Sequence, residues 1–216
     1  MLEDLLDASA TTGWATAHGT LDQVRLDATM LKWTEVPTRR GGPALSTLRP
    51  VAPAEAQPNS LSARYGTGSQ PLHTDGAHLP KPPDIVVLAC AGTSTTPTRL
   101  WNPKGRGFLW DAWHLVRHGV FLVSSGNDSF FATAYDVGLG VFRYDPGCML
   151  PADERARKVT QHFETAMSDA TDHHWSEPGL VLLIDNRRVL HARASADHEP
   201  QREIQRLSFN LNGEAS

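Results

Sequence analysis

A chain of 216 residues with 40% hydrophobic and 20% charged residues has the size and composition of one soluble globular domain, and we expect residues 1–216 to form it. Its formal net charge of −4 argues against a nucleic-acid partner, because binding to a phosphate backbone needs a basic surface. The acidic start MLEDLLDASATTGW lacks the basic and apolar regions of a signal peptide, and no apolar run approaches the roughly 20 residues that span a bilayer, which favours a cytoplasmic protein with no membrane partner.

The first third of the chain combines two predicted helices with a long irregular stretch. Residues 2–8 and about 19–33 have apolar residues at helical spacing, although the second segment is only loosely amphipathic. Residues 37–70 are rich in Pro, Gly, Ser and Ala. A stretch of this length inside a compact domain is either disordered or functional, and we predict a lid-like loop over about 37–70.

The rest of the chain alternates short β-like runs with two helices. The predicted strands are IVVLACA (85–91), VFLVSS (120–125), SFFATAY (129–135), GVFRY (140–144), LVLLIDN (180–186) and RLSFNL (206–211). Helices are predicted over about 106–118, which Gly119 ends, and about 152–170, which Pro151 begins. An α/β sheet would need a helix after nearly every strand. The pattern therefore favours a mainly β fold with helical inserts, an antiparallel sandwich or a double-stranded β-helix (jelly roll).

Two polar stretches carry candidate metal ligands. In PLHTDGAHLP, His73 and Asp75 are two residues apart, so on extended backbone both side chains point to the same side. His78 has a different phase and is left outside this set. In PGLVLLIDNRRVLHARA, an apolar strand and a turn lead to His191. Two histidines and a carboxylate form the facial triad of non-haem Fe(II) sites, in which open positions remain for other ligands.

LHTDGAHLPKPPDIVVLACAG, followed about ninety residues later by PGLVLLIDNRRVLHARA, resembles the taurine dioxygenase-like family of Fe(II)/2-oxoglutarate-dependent oxygenases. The resemblance covers about residues 60–211 and is faint or absent over the first 40. It implies a ferrous centre held by His73, Asp75 and His191, with 2-oxoglutarate and O2 as cosubstrates. One departure is the separation of Asp75 from His191, 116 positions, which is short for the family and implies a reduced insert over the site.

The resemblance also implies where the cosubstrate lies. An arginine suits the distal carboxylate of 2-oxoglutarate, because its planar guanidinium binds a carboxylate through two hydrogen bonds and stays charged when buried. Arg202 lies eleven residues after His191, as the family's cosubstrate arginine does, and Arg206 follows four later on the same strand face. We assign Arg202 to 2-oxoglutarate and Arg206 to substrate, with the reverse assignment open. Thr98, 23 residues after Asp75, matches the hydroxyl donor of the family, although several threonines crowd this stretch.

The sequence thus predicts a dioxygenase that hydroxylates or desaturates a small molecule. The arginine pair and the acidic net charge favour a carboxylate-bearing substrate, such as an amino acid or a natural-product intermediate. A cupin-like hydrolase or isomerase that uses the same three ligands without a keto acid is the alternative, and a noncatalytic jelly-roll binding module is a second one. The sequence does not indicate the oligomeric state.

Overall fold

The computed structural model describes residues 1–37, 39, 41–58, 60–103, 110–126 and 128–211. The helices in these ranges are α1 (Leu2–Ala8), α2 (Leu21–Met30), α3 (Leu61–Tyr65), α4 (Trp110–His118) and α5 (Glu154–Ala166). The strands are β1 (Trp14–His18), β2 (Thr34–Glu35), β3 (Ser46–Leu48), β4 (Ile85–Cys90), β5 (Ser94–Trp101), β6 (Val120–Ser125), β7 (Asp128–Thr133), β8 (Tyr135–Asp136), β9 (Val141–Phe142), β10 (Met149–Pro151), β11 (Thr171–Trp175), β12 (Leu180–Asp185), β13 (Leu190–Arg193) and β14 (Ile204–Asn210).

The four predicted helices are present, and capping side chains decide where two of them begin. Thr20 and Gln23 form a reciprocal capping box, so α2 starts just after Thr20. Asp153 accepts a hydrogen bond from the backbone N–H of Ala156, so α5 starts at the next residue, later than the sequence predicts. The helix predicted over 106–118 is observed as α4, and its predicted residues 106–109 lie outside the described part of the chain.

The predicted strands are observed, but the sequence missed about half of the strands that the structure contains. The run predicted over 129–135 divides into β7 and β8. Among the missed strands, β5 reads STTPTRLW, and its inward-facing positions include Ser94, Thr96 and Thr98. Because small polar residues occupy the buried face, the apolar alternation that reveals a half-buried strand is absent.

The largest sheet is antiparallel, with strand order β1-β12-β4-β14, and β14 pairs further with β2 and β3. Other elements cover both faces of its central strands β4 and β12, and the side chains of these strands are apolar on both faces. One face packs against α1 and α2 through side chains such as Val87 and Leu183. The other packs against β5 and Trp175 through side chains such as Val86 and Leu182. This double burial explains the continuous apolar runs in the sequence.

A second antiparallel sheet, β11-β5-β13, faces the first across this core, and a third, β10-β6-β7, packs with α4 and α5 around Phe121 and Phe163. The architecture is therefore mainly β with a few helices, as predicted. Within the described ranges, none of the helices combines the length and the apolar character that crossing a bilayer requires.

The described part of the predicted lid-like loop contains regular structure; residues 38, 40 and 59 lie outside it. The segment includes β3, which pairs with β14, and the short helix α3, which Ser60 caps. At its end, Gly66 has φ +53° and ψ −130°, and a Cβ there would lie 2.9 Å from Pro53 Cδ, so this turn requires glycine. The role of the segment as a lid stays a prediction.

Candidate metal centre

Strand pairing brings the two distant histidines together. The backbone N–H of His73 donates to the carbonyl of His191 at 2.9 Å, and the N–H of His191 donates back to the carbonyl of His73 at 2.9 Å. His73 and His191 form an isolated antiparallel bridge. This bridge lies on one edge of β13, and β5 pairs with the other edge. Because directly opposed residues of an antiparallel pair project to the same face, the imidazole centroids lie 4.5 Å apart.

The aspartate is fixed through its backbone by a buried asparagine. Asn186 Oδ1 accepts from the N–H of Asp75 at 3.0 Å, and Asn186 Nδ2 donates to the carbonyl of Asp75 at 3.0 Å. The same amide nitrogen donates to the carbonyl of Pro83 at 2.8 Å. Asn186 follows β12 directly and has no exposed surface. It therefore locks the loop that carries Asp75 onto the main sheet.

Thr74 points away from the site, as the alternation of side chains predicts. Its backbone N–H donates to the carbonyl of Tyr144, and its hydroxyl accepts from the N–H of Tyr144 at 3.2 Å. The loop that follows Asp75 is held by Arg143, which is 2% exposed and donates to the carbonyls of Ala77, Leu79 and Pro80 at 2.5, 2.5 and 2.7 Å. Backbone contacts on both sides thus present His73 and Asp75 together.

The donor atoms of the triad converge without blocking one another. One donor atom from each of His73, Asp75 and His191 lies within 4.8 Å of the other two, and all three side chains are buried. His73 Nε2 lies 3.9 Å from Asp75 Oδ1, and His191 Nε2 lies 3.7 Å from Asp75 Oδ2. Neighbouring ligands of one metal ion are about 3 Å apart when the bonds are about 2.1 Å, so small rotations would complete the geometry.

Arg206 holds one oxygen of the carboxylate. Its Nη1 donates to Asp75 Oδ1 at 2.7 Å, and its Nε donates to Ser46 of β3 at 3.2 Å. Burial alone would raise the pKa of Asp75, but Arg206, His191 and His73 lower this pKa to about 2. Burial and the neighbouring His73 lower the pKa of His191 to about 3. At neutral pH the site therefore holds a carboxylate and a neutral imidazole, the protonation states that bind a metal.

The atoms without hydrogen-bond partners fit a metal ion. Among the described residues, Asp75 Oδ2 is buried and accepts no hydrogen bond. A buried carboxylate oxygen without a donor is costly, and a cation offers the missing partner. His73 Nδ1 lies 3.0 Å from the carbonyl of Pro71, a contact that needs a proton on Nδ1 and leaves the Nε2 lone pair available. The residues present thus suit a divalent ion with two nitrogen donors and one oxygen donor.

A second polar group lies on the inward face of β5, where Arg202 of the loop before β14 meets Ser94. Arg202 Nε donates to Ser94 Oγ at 3.0 Å, and its Nη2 lies 3.5 Å from the carbonyl of Thr96. Burial and then the charge of Arg193 lower the pKa of Arg202 to about 10. Arg193, which is only partly buried, adds a second positive charge near Arg202, and Glu199 adds a negative one.

Two threonine hydroxyls line the same strand face. Thr98 Oγ1 accepts a hydrogen bond from the indole N–H of Trp175 at 3.1 Å, which leaves the hydroxyl hydrogen of Thr98 able to donate. Thr96 Oγ1 is buried and has no hydrogen-bond partner among the described residues. The assignment of Thr98 to the cosubstrate stays a prediction, and Thr96 is a further candidate two residues away.

Arg193 ties β13 to the end of the lid-like segment. Its Nη2 donates to the carbonyls of Gly66 and Gly68 at 2.6 and 2.7 Å, and its Nε is buried without a hydrogen-bond partner in the described part of the chain. Thr67 additionally donates to Asp197. The residues that precede His73 are thus fastened to those that follow His191.

The structure brings His73, Asp75 and His191 together, as the sequence predicted, and the role of Arg202 stays a prediction. Sequence reasoning missed the side chains that orient these residues. Asn186 and Arg143 are polar residues next to apolar strands. A polar side chain that is buried must have hydrogen-bond partners, so their positions in the sequence indicated a structural role but not the groups that they contact. The acceptors of Arg143 are backbone carbonyls of the loop that follows Asp75, and no sequence pattern identifies such a contact. Ser94 was likewise invisible as a partner of Arg202.

Comparison with solved structures gives the fold. Asparagine oxygenase in complex with Fe(II), (2S,3S)-3-hydroxyasparagine and succinate aligns with a TM-score of 0.73 and 16% identity over 97% of this chain and 77% of the other. The non-haem iron oxygenase OrfP in complex with Fe and α-ketoglutaric acid aligns with a TM-score of 0.67 and 16% identity over 96% of this chain and 78% of the other. The chain has the fold of non-haem iron oxygenases.

Among the comparisons, only those with solved structures give a match. No protein-family model matches the sequence, and no curated protein is significantly similar to it. At 16% identity the alignments establish the fold, and the chemistry has to be argued from the residues of this chain.

Proposed function

We propose that the protein is an Fe(II)- and 2-oxoglutarate-dependent dioxygenase that hydroxylates or desaturates a small, carboxylate-bearing molecule. The observation that carries the proposal is the buried oxygen Asp75 Oδ2, which has no hydrogen-bond donor among the described residues and faces His191 at 3.7 Å within an oxygenase fold. His73, Asp75 and His191 would hold the ion, and their number leaves positions for a chelating keto acid and for dioxygen.

The cosubstrate is proposed to bind with its distal carboxylate at Arg202. Arg202 is buried, and Arg193 is among its charged neighbours. The hydroxyls of Thr96 and Thr98 lie on the inward face of β5, which Arg202 contacts. A ligand carboxylate would offset this buried positive charge and accept from the hydroxyl. The alternative without a keto acid, a cupin-like hydrolase or isomerase, gives no role to this cationic group.

The residues of the site either bind the metal ion or orient the side chains that bind it. With iron bound, the centre would supply dioxygen activation coupled to oxidative decarboxylation of 2-oxoglutarate to succinate and CO2. The chain contributes a dry site: the three ligand side chains are buried, and Asn186 and Arg143 fix the loop that bears Asp75. Exclusion of water protects a reactive centre from side reactions.

The substrate is proposed to be an amino acid or a related small molecule. Structural neighbours bind hydroxyasparagine and hydroxyarginine, and this coarse resemblance supports the same class here. Arg206 was predicted to bind the substrate carboxylate, and in the structure it contacts Asp75 and Ser46. Its five N–H donors allow one guanidinium to serve several acceptors, so substrate contact by Arg206 is kept as part of the proposal.

The chain is proposed to act as one catalytic domain built on a double-stranded β-helix. The sheets β1-β12-β4-β14 and β11-β5-β13 face each other across a shared core. His191 is the second residue of β13, His73 is its partner in an antiparallel bridge, and Asp75 lies on the loop that follows His73.

The proposal is tested by anaerobic addition of Fe(II) and 2-oxoglutarate. We expect a weak visible charge-transfer band in the wild type, loss of the band in His191→Ala and a weaker band in Arg202→Ala at equal cosubstrate concentration. His174→Ala removes an exposed histidine and is the matched control, which should retain the band. A protein that binds iron but gives no band with the keto acid would favour the hydrolase or isomerase alternative. Candidate amino acids are then screened for stimulated succinate release.

A further inference from the structure

The hydroxyl of Ser94 links a buried arginine to an acid on the loop between β13 and β14. It accepts from Arg202 Nε at 3.0 Å and from the backbone N–H of Thr96 at 3.2 Å, and it donates to Glu199 Oε2 at 2.8 Å. A hydroxyl has two lone pairs and one hydrogen, so the bonds with Arg202 and Glu199 leave one lone pair, which the N–H of Thr96 approaches. The carbonyl of Thr96 lies farther from this hydroxyl, at 3.3 Å. The carboxylate of Glu199 is closer and charged, so it is the stronger acceptor for the single hydrogen of the Ser94 hydroxyl.

Glu199 is itself immobilised by the backbone of β5. The N–H of Thr96 is shared between the carboxylate of Glu199, at 3.0 Å, and Ser94 Oγ, at 3.2 Å, and the N–H of Thr95 donates to the carboxylate at 3.3 Å. The last registered pair of β13 with β5 is Arg193 with Thr98, so these amides lie beyond the end of that ladder. Glu199 therefore takes the place of a strand partner and has few alternative orientations.

These contacts fix one edge of the Arg202 guanidinium and leave the other for a ligand. The Nε edge is held by Ser94, whereas Nη2 makes a 3.5 Å contact with the carbonyl of Thr96, longer than an ordinary hydrogen bond. A planar guanidinium held at Nε has little freedom to rotate. It would meet an incoming carboxylate in one orientation, without an ordering cost at the moment of binding.

We infer that Ser94 and Glu199 are positioning residues, which set the orientation of Arg202 and thereby the preference of the site for keto acids that carry a distal carboxylate. This inference rests on the proposed function. Neither residue contacts the triad through any hydrogen bond in the described part of the chain, so their effect is confined to the Arg202 end of the site.

The test compares two keto acids that share the metal-chelating group. Calorimetry of the full chain, loaded anaerobically with Fe(II), measures the Kd of 2-oxoglutarate and of pyruvate, which lacks the distal carboxylate. Ser94→Ala should raise the Kd of 2-oxoglutarate about tenfold, the range expected for a hydrogen bond to a charged group, and leave the Kd of pyruvate unchanged. Ser94→Thr retains the hydroxyl and should restore binding. Ser129→Ala, at an exposed serine of β7, should match the wild type.

A double-mutant comparison tests the role of Glu199. If Glu199 acts by orienting the Ser94 hydroxyl, the loss caused by Ser94→Ala should be smaller in a Glu199→Gln background. An equal loss in both backgrounds would remove Glu199 from the inference. Equal weakening of both keto acids by Ser94→Ala, or no weakening of either, would overturn the role of Ser94. Failure of the wild type to bind 2-oxoglutarate would instead reject the proposed function.

Discussion

The contact between Arg206 and Asp75 gives a prediction whose size follows from the structure. The two side chains are 15% and 6% exposed, and their charged atoms are 2.7 Å apart. At an effective dielectric constant of about 20, the gross attraction at this distance is about 6 kcal/mol. Desolvation of both groups offsets part of it. Removal of one partner from such a buried pair typically costs about 3–5 kcal/mol of unfolding free energy, because the other charge is left buried.

The perturbation is a double-mutant cycle with Asp75→Ala, Arg206→Met and both together in the metal-free protein. We expect the double variant to lose about 3 kcal/mol less than the sum of the single losses, because neither charge is then left alone. Urea unfolding in the presence of a chelator measures each free energy of unfolding.

The control is a cycle on Arg25 and Glu35, which contact each other at 2.8 and 3.1 Å through two hydrogen bonds but are 41% and 33% exposed. Exposed pairs are worth at most about 1 kcal/mol, so the coupling there should be small. If the coupling between Arg206 and Asp75 does not exceed that of the control, the reasoning that Arg206 anchors the ligand carboxylate is refuted.

The same unfolding assay, with a divalent ion added, tests whether Asp75 is a metal ligand. Addition of a divalent ion at 100 times its Kd should stabilise the wild type by about 2.7 kcal/mol, provided that the unfolded chain does not bind it. Asp75→Ala should lose this stabilisation, whereas the Arg25 and Glu35 variants should retain it. Retention by Asp75→Ala would show that the carboxylate is not a ligand.

Three further predictions concern neighbouring residues. Thr96→Val should weaken 2-oxoglutarate binding more than Thr98→Val if the unpartnered hydroxyl of Thr96 is the donor, and calorimetry ranks the two. The pKa of His191 is lowered to about 3 and that of His173 to about 4, mainly by burial. Between pH 6.5 and 4 the unfolded chain therefore binds these protons and the native chain does not. Stability of the metal-free protein should fall as the pH falls, by about 1.4 kcal/mol per pH unit for each histidine, and His173→Phe should remove its share in urea titrations at several pH values. Arg143→Met leaves three carbonyl acceptors without their donor and should cost about 3 kcal/mol of unfolding free energy; a loss below 1 kcal/mol would contradict its anchoring role.

Local sequence patterns were sufficient where a short segment carries its own physical cause. The runs at 85–90 and 180–185 form strands because aliphatic residues pack on both faces of a sheet. His73 and Asp75 share a side because extended backbone alternates its side chains. The same reasoning failed for β5, since polar side chains fill its inward face and no apolar alternation marks it.

The sequence by itself determined which residue types are available for a metal centre and an anion site. Only the tertiary structure decided that His73 and His191 are direct partners in an antiparallel bridge, that Asn186 fastens the loop of Asp75, and that Arg206 holds one oxygen of its carboxylate. Each of these contacts joins residues more than a hundred positions apart. Their register depends on how the whole core packs, and a local pattern contains no information about that register.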